Sequence, residues 1–332
     1  MIRIALVSAL AGCSFMPVAA TSGGDGSAMH DAHVIDTAID VPPDSFDPSC
    51  FAGGAFYFCL ATMPSGSQSL PSGVDTTDCS FQGAQVAMMG STSICVLAGD
   101  SVDVGASDVT GSRPLVIAAT GDITQSDYLD ASSATGRGDG PAANDPSCTT
   151  TTNNGGNNAS GGGGGAGGSC GTAGAAGASG AGAGGGAPGP AANQPVTPLR
   201  GGCKGGLGGS GGNAQAAGGS GGGAVMFVAR GTIHLDGTID VSGAGGVGGI
   251  QAKGGGGGGG SGGMIVLYGT VAATPNAVLF ANAGGGGGGA GQGADGNDGA
   301  NATMFDMAAA GGPGGGAGIS PGGAGGFLMT RR

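Results

Sequence analysis

Apolar residues in this chain gather in short islands, and the islands repeat. Residues 113–133 (RPLVIAATGDITQSDYLDASS) align without a gap on 223–243 (GAVMFVARGTIHLDGTIDVSG), at an offset of 110. Leu115, Ile117, Ile123 and Leu129 meet Val225, Phe227, Ile233 and Ile239. Gly121, Asp130 and Ser132 meet Gly231, Asp240 and Ser242. A degenerate third copy runs through 264–269 (MIVLYG), Thr270-Val271 and 278–282 (VLFAN). An earlier run, 94–110 (ICVLAGDSVDVGASDVT), keeps the rhythm at a spacing of 20 to 21 residues, with Ile94 lying 21 before Leu115.

Each copy reads as three short strands, the first apolar throughout and the next two alternating. In 232–236, Ile233 and Leu235 share one face, while Thr232, His234 and Asp236 take the other. Gly237 interrupts the run, and Ile239 and Val241 resume the inward face. A unit of this size buries little alone, so neighbours must stack to close a core. The expected fold is all-β: a parallel β-helix-like solenoid over 94–332, with Leu115, Val225 and Ile265 in successive layers. Residues 50–93 hold strand-like stretches at 56–58 and 85–89 and a turn at 75–79. They are read as an N-terminal cap over the open end of the solenoid.

Glycine enters at one point of the repeat. The segments 133–222, 243–262 and 284–325 each follow a third strand and precede the next apolar one, which resumes at Ala224, Met264 and Phe327. Such placement is that of insertions along one solenoid edge. Glycine loses the most conformational freedom on ordering, so disorder is the first expectation. The alternative is side-by-side packing of extended polyproline-II-type helices at three residues per turn. The run 254–260 and the register Gly171-x-x-Gly174-x-x-Gly177-x-x-Gly180 suit that alternative.

Composition narrows the chemistry. Charged residues make up 9% of the chain, aromatics 4%, there is no Trp, and all 21 acidic residues are Asp. Without Glu and with only Lys204 and Lys253 as lysines, long helices are not expected. The net charge of −12 belongs to the N-terminal third, where 14 Asp face only Arg3 and Arg113. No basic stripe exists to neutralise phosphates, which excludes nucleic acid as a partner. No Gly-Lys-Ser/Thr follows a glycine run, so no phosphate-cradling loop is present.

The catalytic nominee is His234 with Asp236 and Asp240, the residue types of general acid–base chemistry. The competing reading is an exposed strand histidine with turn-capping aspartates, and it is the one adopted. Asp130 and Asp240 share a repeat position, so stacking sets them about 4.8 Å apart. Like charges at that distance repel, unless they bridge a cation, face water or accept turn amides. Asp295 and Asp298, in 291–298 (GQGADGND), complete the metal nominees through a faint similarity to the calcium-binding nonapeptide of RTX proteins. Arg137-Gly138-Asp139 resembles the integrin-binding loop of fibronectin-type adhesins, against a chance tripeptide in Gly/Asp-rich sequence. The reading adopted has no metal, no cofactor and no enzymatic activity.

The chain opens Met1-Ile2-Arg3, runs apolar over 4–11 and continues Leu10-Ala11-Gly12-Cys13. A basic start, an apolar stretch and small residues before a cut site read as a signal peptide, 1–12. The Leu-Ala-Gly-Cys ending resembles the lipobox of bacterial lipoproteins. That resemblance implies a diacylglyceryl group on the Cys13 sulfur, cleavage just before it and, through Ser14, sorting to an outer membrane or cell surface. Twelve leader residues against a usual minimum of about fifteen lead us to expect a start further upstream. Residues 13–49, with His30 and His33, are too poor in apolar side chains for a core and read as a disordered tether.

Seven further cysteines, Cys50, Cys59, Cys79, Cys95, Cys148, Cys170 and Cys203, show no Cys-x-x-Cys spacing, so zinc and redox motifs are absent. Export favours disulfides. Cys50–Cys59 and Cys79–Cys95 are local candidates, and the odd number leaves one thiol free or intermolecular. Taken together, the chain is similar to the uncharacterised glycine-rich surface lipoproteins of predatory soil bacteria. The resemblance implies a non-enzymatic structural, adhesive or matrix role, with the membrane, surface polysaccharide or another matrix protein as partners. The rival readings are a carbohydrate-active or carbohydrate-binding β-helix protein and an ice- or surface-binding glycine slab.

Overall fold

The computed structural model describes residues 8–11, 47–53, 56–62, 65–148, 153–169, 174–181, 183–187, 198–212, 214–250, 253–303, 306–316 and 321–325. Cys13, the tether with His30 and His33, and Cys170 lie outside them. The described chain is all-β, with 32% strand and no α-helix; one 3-10 turn spans Pro146–Cys148. In chain order the strands are β1 (Ser8–Ala11), β2 (Cys50–Gly53), β3 (Phe56–Cys59), β4 (Ser67–Ser69), β5 (Gly73–Asp75), β6 (Ala84–Met89), β7 (Thr92–Gly99) and β8 (Ser101–Val104). They continue with β9 (Ser107–Thr110), β10 (Leu115–Ala119), β11 (Ile123–Gln125), β12 (Tyr128–Asp130), β13 (Ala224–Leu235), β14 (Thr238–Asp240), β15 (Met264–Ala273) and β16 (Val278–Phe280).

Apart from the separate antiparallel β2–β3 hairpin, these strands build three parallel ladders. The first runs β7, β10, β13, β15; β6 pairs antiparallel at one end and β1 at the other. The second runs β4, β8, β11 and the far halves of β13 and β15. The third runs β5, β9, β12, β14, β16. The first two belong to one curled, half-barrel sheet. The offset of 110 read from the sequence is the register itself: Leu115 lies opposite Val225, Ile123 opposite Ile233 and Leu129 opposite Ile239. Val225 in turn lies opposite Ile265.

Cys95 lies opposite Leu115, 20 residues earlier, within the spacing of 20 to 21 read from the sequence. One sequence expectation shifts. The ladders begin before residue 94, since β4 and β5 already pair parallel with β8 and β9. Ser67-Gln68-Ser69 and Gly73-Val74-Asp75 carry too little apolar signal to announce strands; Leu70 and Val74 alone reach the core.

The ladders explain why the first strand of each repeat is wholly apolar. Its inward residues, Leu97, Leu115, Ile117, Val225, Phe227 and Ile265, join Val102, Ile123, Ile233, Leu129 and Ile239 in the central core. Its other face, Val96, Val116, Ala118, Met226, Val228 and Val266, packs in a second core with Phe51 and Phe58 of the β2–β3 hairpin, Leu199 and Cys203. A strand buried on both faces reads as a continuous hydrophobic run. The second and third ladders face water on one side and alternate. Each full burial of a Val, Leu or Ile is worth about 1.5–3 kcal/mol, which makes these two cores the main apolar contribution.

The described glycine segments are ordered by backbone hydrogen bonds that recur at every third residue, the period of a polyproline-II helix. The segment 254–262 lies at the centre. Amides of Gly255, Gly258 and Ser261 donate to the carbonyls of Gly209, Gly206 and Cys203. Amides of Gly257, Gly260 and Gly263 donate to Val247, Ala244 and Val241. Its carbonyls accept from Gly165 and Gly168, with Gly162 donating to the preceding Lys253, from Gly284, Gly287 and Ala290, and from Gly219 and Gly222. Disorder, the first expectation for such a run, does not describe it. With no side chains between them, the backbones approach until their amides bond one another, and those bonds offset the entropy of ordering glycine. A Cβ on Gly258 would overlap the carbonyl of Ala166, and one on Gly257 that of Ala217.

Candidate functional site

Asp130 and Asp240 are partners in the β12–β14 register, and Asp108 of β9 flanks Asp130 on the other side. The third ladder therefore lines up carboxylates. Two devices relieve the crowding. Arg137 reaches back from a turn closed between Ala134 and Gly138 and grips Asp130 with both terminal nitrogens, Nη2 at 2.7 Å from Oδ1. The same nitrogen donates to the carbonyl of Ser132 at 2.8 Å, and Asp108 lies 3.6 Å from Nη1. Asp240 instead accepts from the Tyr128 hydroxyl at 2.9 Å.

Both aspartates also end their strands in the same way. Asp130 Oδ1 accepts from the Ser132 amide at 3.0 Å, and Asp240 Oδ1 from the Ser242 amide at 2.8 Å. An aspartate bonding the amide two residues on makes a backbone turn, and here the turn sends the chain out of the third ladder into the glycine bundle. The sequence signal is the recurrent Asp-x-Ser.

Protonation follows from these surroundings. Burial pushes the Asp240 carboxyl up to about 6, against the lowering effect of its Ser242 and Tyr128 bonds. Burial acts the same way on Asp130, but the bonds from Arg137 and Ser132 outweigh it and hold the carboxyl below its ordinary value. Burial and the neighbouring Asp240 raise the Tyr128 phenol.

His234 stands apart from this cluster. It lies on the water-facing side of the second ladder, half exposed, with Nε2 3.9 Å from Asp122 Oδ2. Asp236 is exposed and accepts from Thr274 Oγ1 and from Asn276 Nδ2, the latter at 3.2 Å. Asp240, by contrast, is 2% exposed and points its oxygens at Ser242 and Tyr128. The three catalytic nominees are close in sequence, and His234 and Asp236 share the water-facing side, but the Gly237 turn carries Asp240 into the buried third ladder. Asp298 accepts from the Gly248 amide at 2.8 Å and Asp295 belongs to the neighbouring turn of the bundle, both away from the Asp130–Asp240 pair. Among the described residues no group of three His, Cys or Asp gathers in metal-binding geometry.

The Arg137-Gly138-Asp139 tripeptide is not presented as a free loop, because its arginine is committed to Asp130 and Ser132. Sequence reading missed this clamp: only the reverse turn after Ser133 brings residue 137 onto residue 130. It missed a second arginine as well. Arg200, 7% exposed, lies 4.0 Å from Asp145, donates to Ser147 Oγ at 3.3 Å and lines a cavity of about 520 Å3 with Arg113. Desolvation lowers its pKa.

Among the described residues, three disulfides join Cys50 to Cys59, Cys79 to Cys95 and Cys148 to Cys203. The first two are the local pairs expected from spacing. The third ties the start of the largest glycine-rich stretch to the second core, where Cys203 is buried. Among the described residues the larger cavity, about 810 Å3, lies in the glycine bundle, and none of His234, Asp236, Asp130 or Asp240 lines it. No protein-family model, curated protein or solved structure matches this chain.

Proposed function

We propose that the chain is an exported, lipid-tethered surface protein with a structural, adhesive or matrix role, built as a β-solenoid that carries a glycine bundle on one edge. The observation behind this reading is the bundle. A large share of the chain is spent on a side-chain-free array in which most buried glycines admit no Cβ. The side chains of chemistry are meanwhile neutralised in turns. Asp130 and Asp240 hold strand ends, and His234 meets only an exposed carboxylate. Three disulfides accord with an oxidising compartment. Parallel ladders stacking one repeat on the next support the solenoid description.

Expression of the full chain and of Cys13→Ser tests the reading. The wild type is expected to fractionate with membranes, carry the mass of a lipid and promote attachment between displaying cells. The variant loses all three. Unchanged membrane fractionation of Cys13→Ser refutes the tether. Polysaccharide turnover that disappears in Asp130→Asn or Asp240→Asn would replace the non-enzymatic reading with the carbohydrate-active one.

A second reading, a slab that binds ice or another regular surface, draws on 174–181. There Gly174, Gly177 and Gly180 turn inward against the carbonyls of Gly167, Gly164 and Gly162, while Ala175, Ala176, Ala178, Ser179 and Ala181 are exposed. Small outward residues with a three-residue period form a flat face, and thermal hysteresis is its assay.

A further inference from the structure

The axial segment 254–262 is threefold by construction, and only two of its three amide faces are met. Its described neighbours follow in order around it: 161–169, 201–209, 216–222, 242–249 and 282–291. Each bonds to the next, through Gly206 to Ala166, Gly208 to Ala216, Val247 to Ala217 and Gly246 to Gly285. The neighbours alternate in role. Those at 161–169, 216–222 and 282–291 donate to axial carbonyls; those at 201–209 and 242–249 accept from axial amides.

By that alternation, the place between 282–291 and 161–169 belongs to the third amide face. This face is Gly256, Gly259 and Gly262, and no described residue accepts from these amides. The place is a groove of about 810 Å3. Gly256 and Gly259 lie on its floor. One wall comes from 161–168 and 174–181, the other from 281–290 and 321–325. Among the described residues the structure is thus a six-neighbour lattice with one position open.

The two filled amide positions define what fits the third. Both run antiparallel to the axis, since rising axial numbers 255, 258, 261 meet falling numbers 209, 206, 203, and 257, 260, 263 meet 247, 244, 241. In both, the residue before each interior acceptor is glycine: Gly205 and Gly208 in one, Gly243 and Gly246 in the other. A Cβ on any of the four would overlap an axial carbonyl. The axis does not restrict the accepting residue itself, as Cys203, Val241, Ala244 and Val247 show; Gly206 and Gly209 are held to glycine by the outer carbonyls of Asn153 and Gly156 instead. We propose that the groove binds an extended glycine-rich segment of another polypeptide, three residues per turn, antiparallel to 254–262 and with glycine at every third position. Nine residues at about 3.1 Å each span the floor, roughly 28 Å. This deepens the adhesive reading by giving the partner its chemistry, and it rests on that reading only for where the partner is met.

The test uses purified full chain and a fluorescent (Gly-Gly-Ser)4 peptide, followed by anisotropy. Gly167→Val and Gly286→Val obstruct the groove. Both glycines are half exposed, and an added Cβ meets nothing nearer than 3.4 Å and 3.3 Å respectively. Gly184→Val, outside the groove with open space around it, is the control. Saturable binding is expected for the wild type and Gly184→Val, weakened about tenfold or more in the two obstructed variants. The (Ala-Ala-Ser)4 peptide is expected not to bind. Peptide addition should also slow amide exchange at Gly256 and Gly259, a readout that needs no variant. No saturable binding, equal affinity in a folded obstructed variant, equal binding of the alanine peptide, or unchanged exchange at those amides overturns the proposal. Because the assay is in solution, a failed membrane tether leaves its outcome untouched.

Discussion

Replacing Gly258 by Ala adds one methyl group at the centre of the bundle. The new Cβ would overlap the Ala166 carbonyl, inside the 3.0 Å that real Cβ atoms keep. Relief requires one backbone to retreat by about 1.5 Å to reach van der Waals distance. Three buried bonds meet at that point: Gly258 N–H to Gly206 at 2.9 Å, Gly219 N–H to Gly258 at 2.8 Å and Gly206 N–H to Ala166 at 2.8 Å. Weakening them costs about 1–3 kcal/mol for each group left unsatisfied, and overpacking adds about 1–3 kcal/mol. Reduced freedom of the unfolded chain returns about 0.4–1 kcal/mol. The net expectation is a loss of about 3–5 kcal/mol, or roughly 6–20 °C in Tm at about 2–4 °C per kcal/mol for a large domain. Gly184→Ala is the matched control, since open space surrounds its Cβ, and it should be neutral or stabilising by about 0.4–1 kcal/mol. Calorimetry of both variants decides, with amide exchange over 254–260 as the local readout. Equal melting of the two variants, or random-coil exchange in that run, refutes the claim that contact between bare backbones requires these glycines.

The raised Asp240 carboxyl makes stability depend on pH. It is protonated in the fold up to about 6 but only to 3.8 in the unfolded chain. Its contribution is therefore complete below 3.8 and lost as pH rises through about 6, a fall on the order of 2–3 kcal/mol. Denaturant melts at pH 4 and 7 should show that fall in the wild type and not in Asp240→Asn; the lowered Asp130 acts only below this window. Arg137→Ala leaves Asp130 without its clamp beside Asp240, and a cost of roughly 1–3 kcal/mol is expected for a pair between surface and buried limits. A double-mutant cycle with Asp130→Asn checks it, and an additive cycle would mean the ion pair contributes nothing. Replacing both Cys148 and Cys203 by Ser opens a crosslink with a separation of 55 residues, for which loop entropy gives about 4 kcal/mol. An unchanged Tm in that double variant would show that the surrounding core alone holds 198–203 in place.

Much of the architecture was legible because it rests on local alternation. The β11, β12 and β14 strands carry the period-two pattern of half-buried strands, and the gapless offset between 113–133 and 223–243 is the ladder register itself. The weak strands β4 and β5 were not legible. Their pairing is supplied by neighbours rather than by their own Ser, Gln and Gly. The candidate site was legible only in part. Recurrent Asp130 and Asp240 stood out as repeat positions, but burial raises the Asp240 carboxyl while Arg137, which a turn of the chain delivers to Asp130 alone, helps hold the other below its ordinary value.

Side-chain pattern was enough to read the chain as β rather than helical and to give Leu115, Val225 and Ile265 one repeat position, and spacing made Cys50–Cys59 and Cys79–Cys95 plausible local pairs. Those are consequences of side-chain pattern and short spacing. Tertiary structure alone decided the state of the glycines. A residue without a side chain carries no inward or outward mark, so nothing in seven consecutive glycines tells which neighbour each will meet. That Gly255 faces Gly163, Gly256 faces Gly287 and Gly257 faces Ala217 is settled only when the surrounding segments are in place. The sixth position, open among the described residues, is equally a property of the assembled bundle, because it exists only with respect to neighbours that the chain brings from 161–169, 282–291 and 321–325.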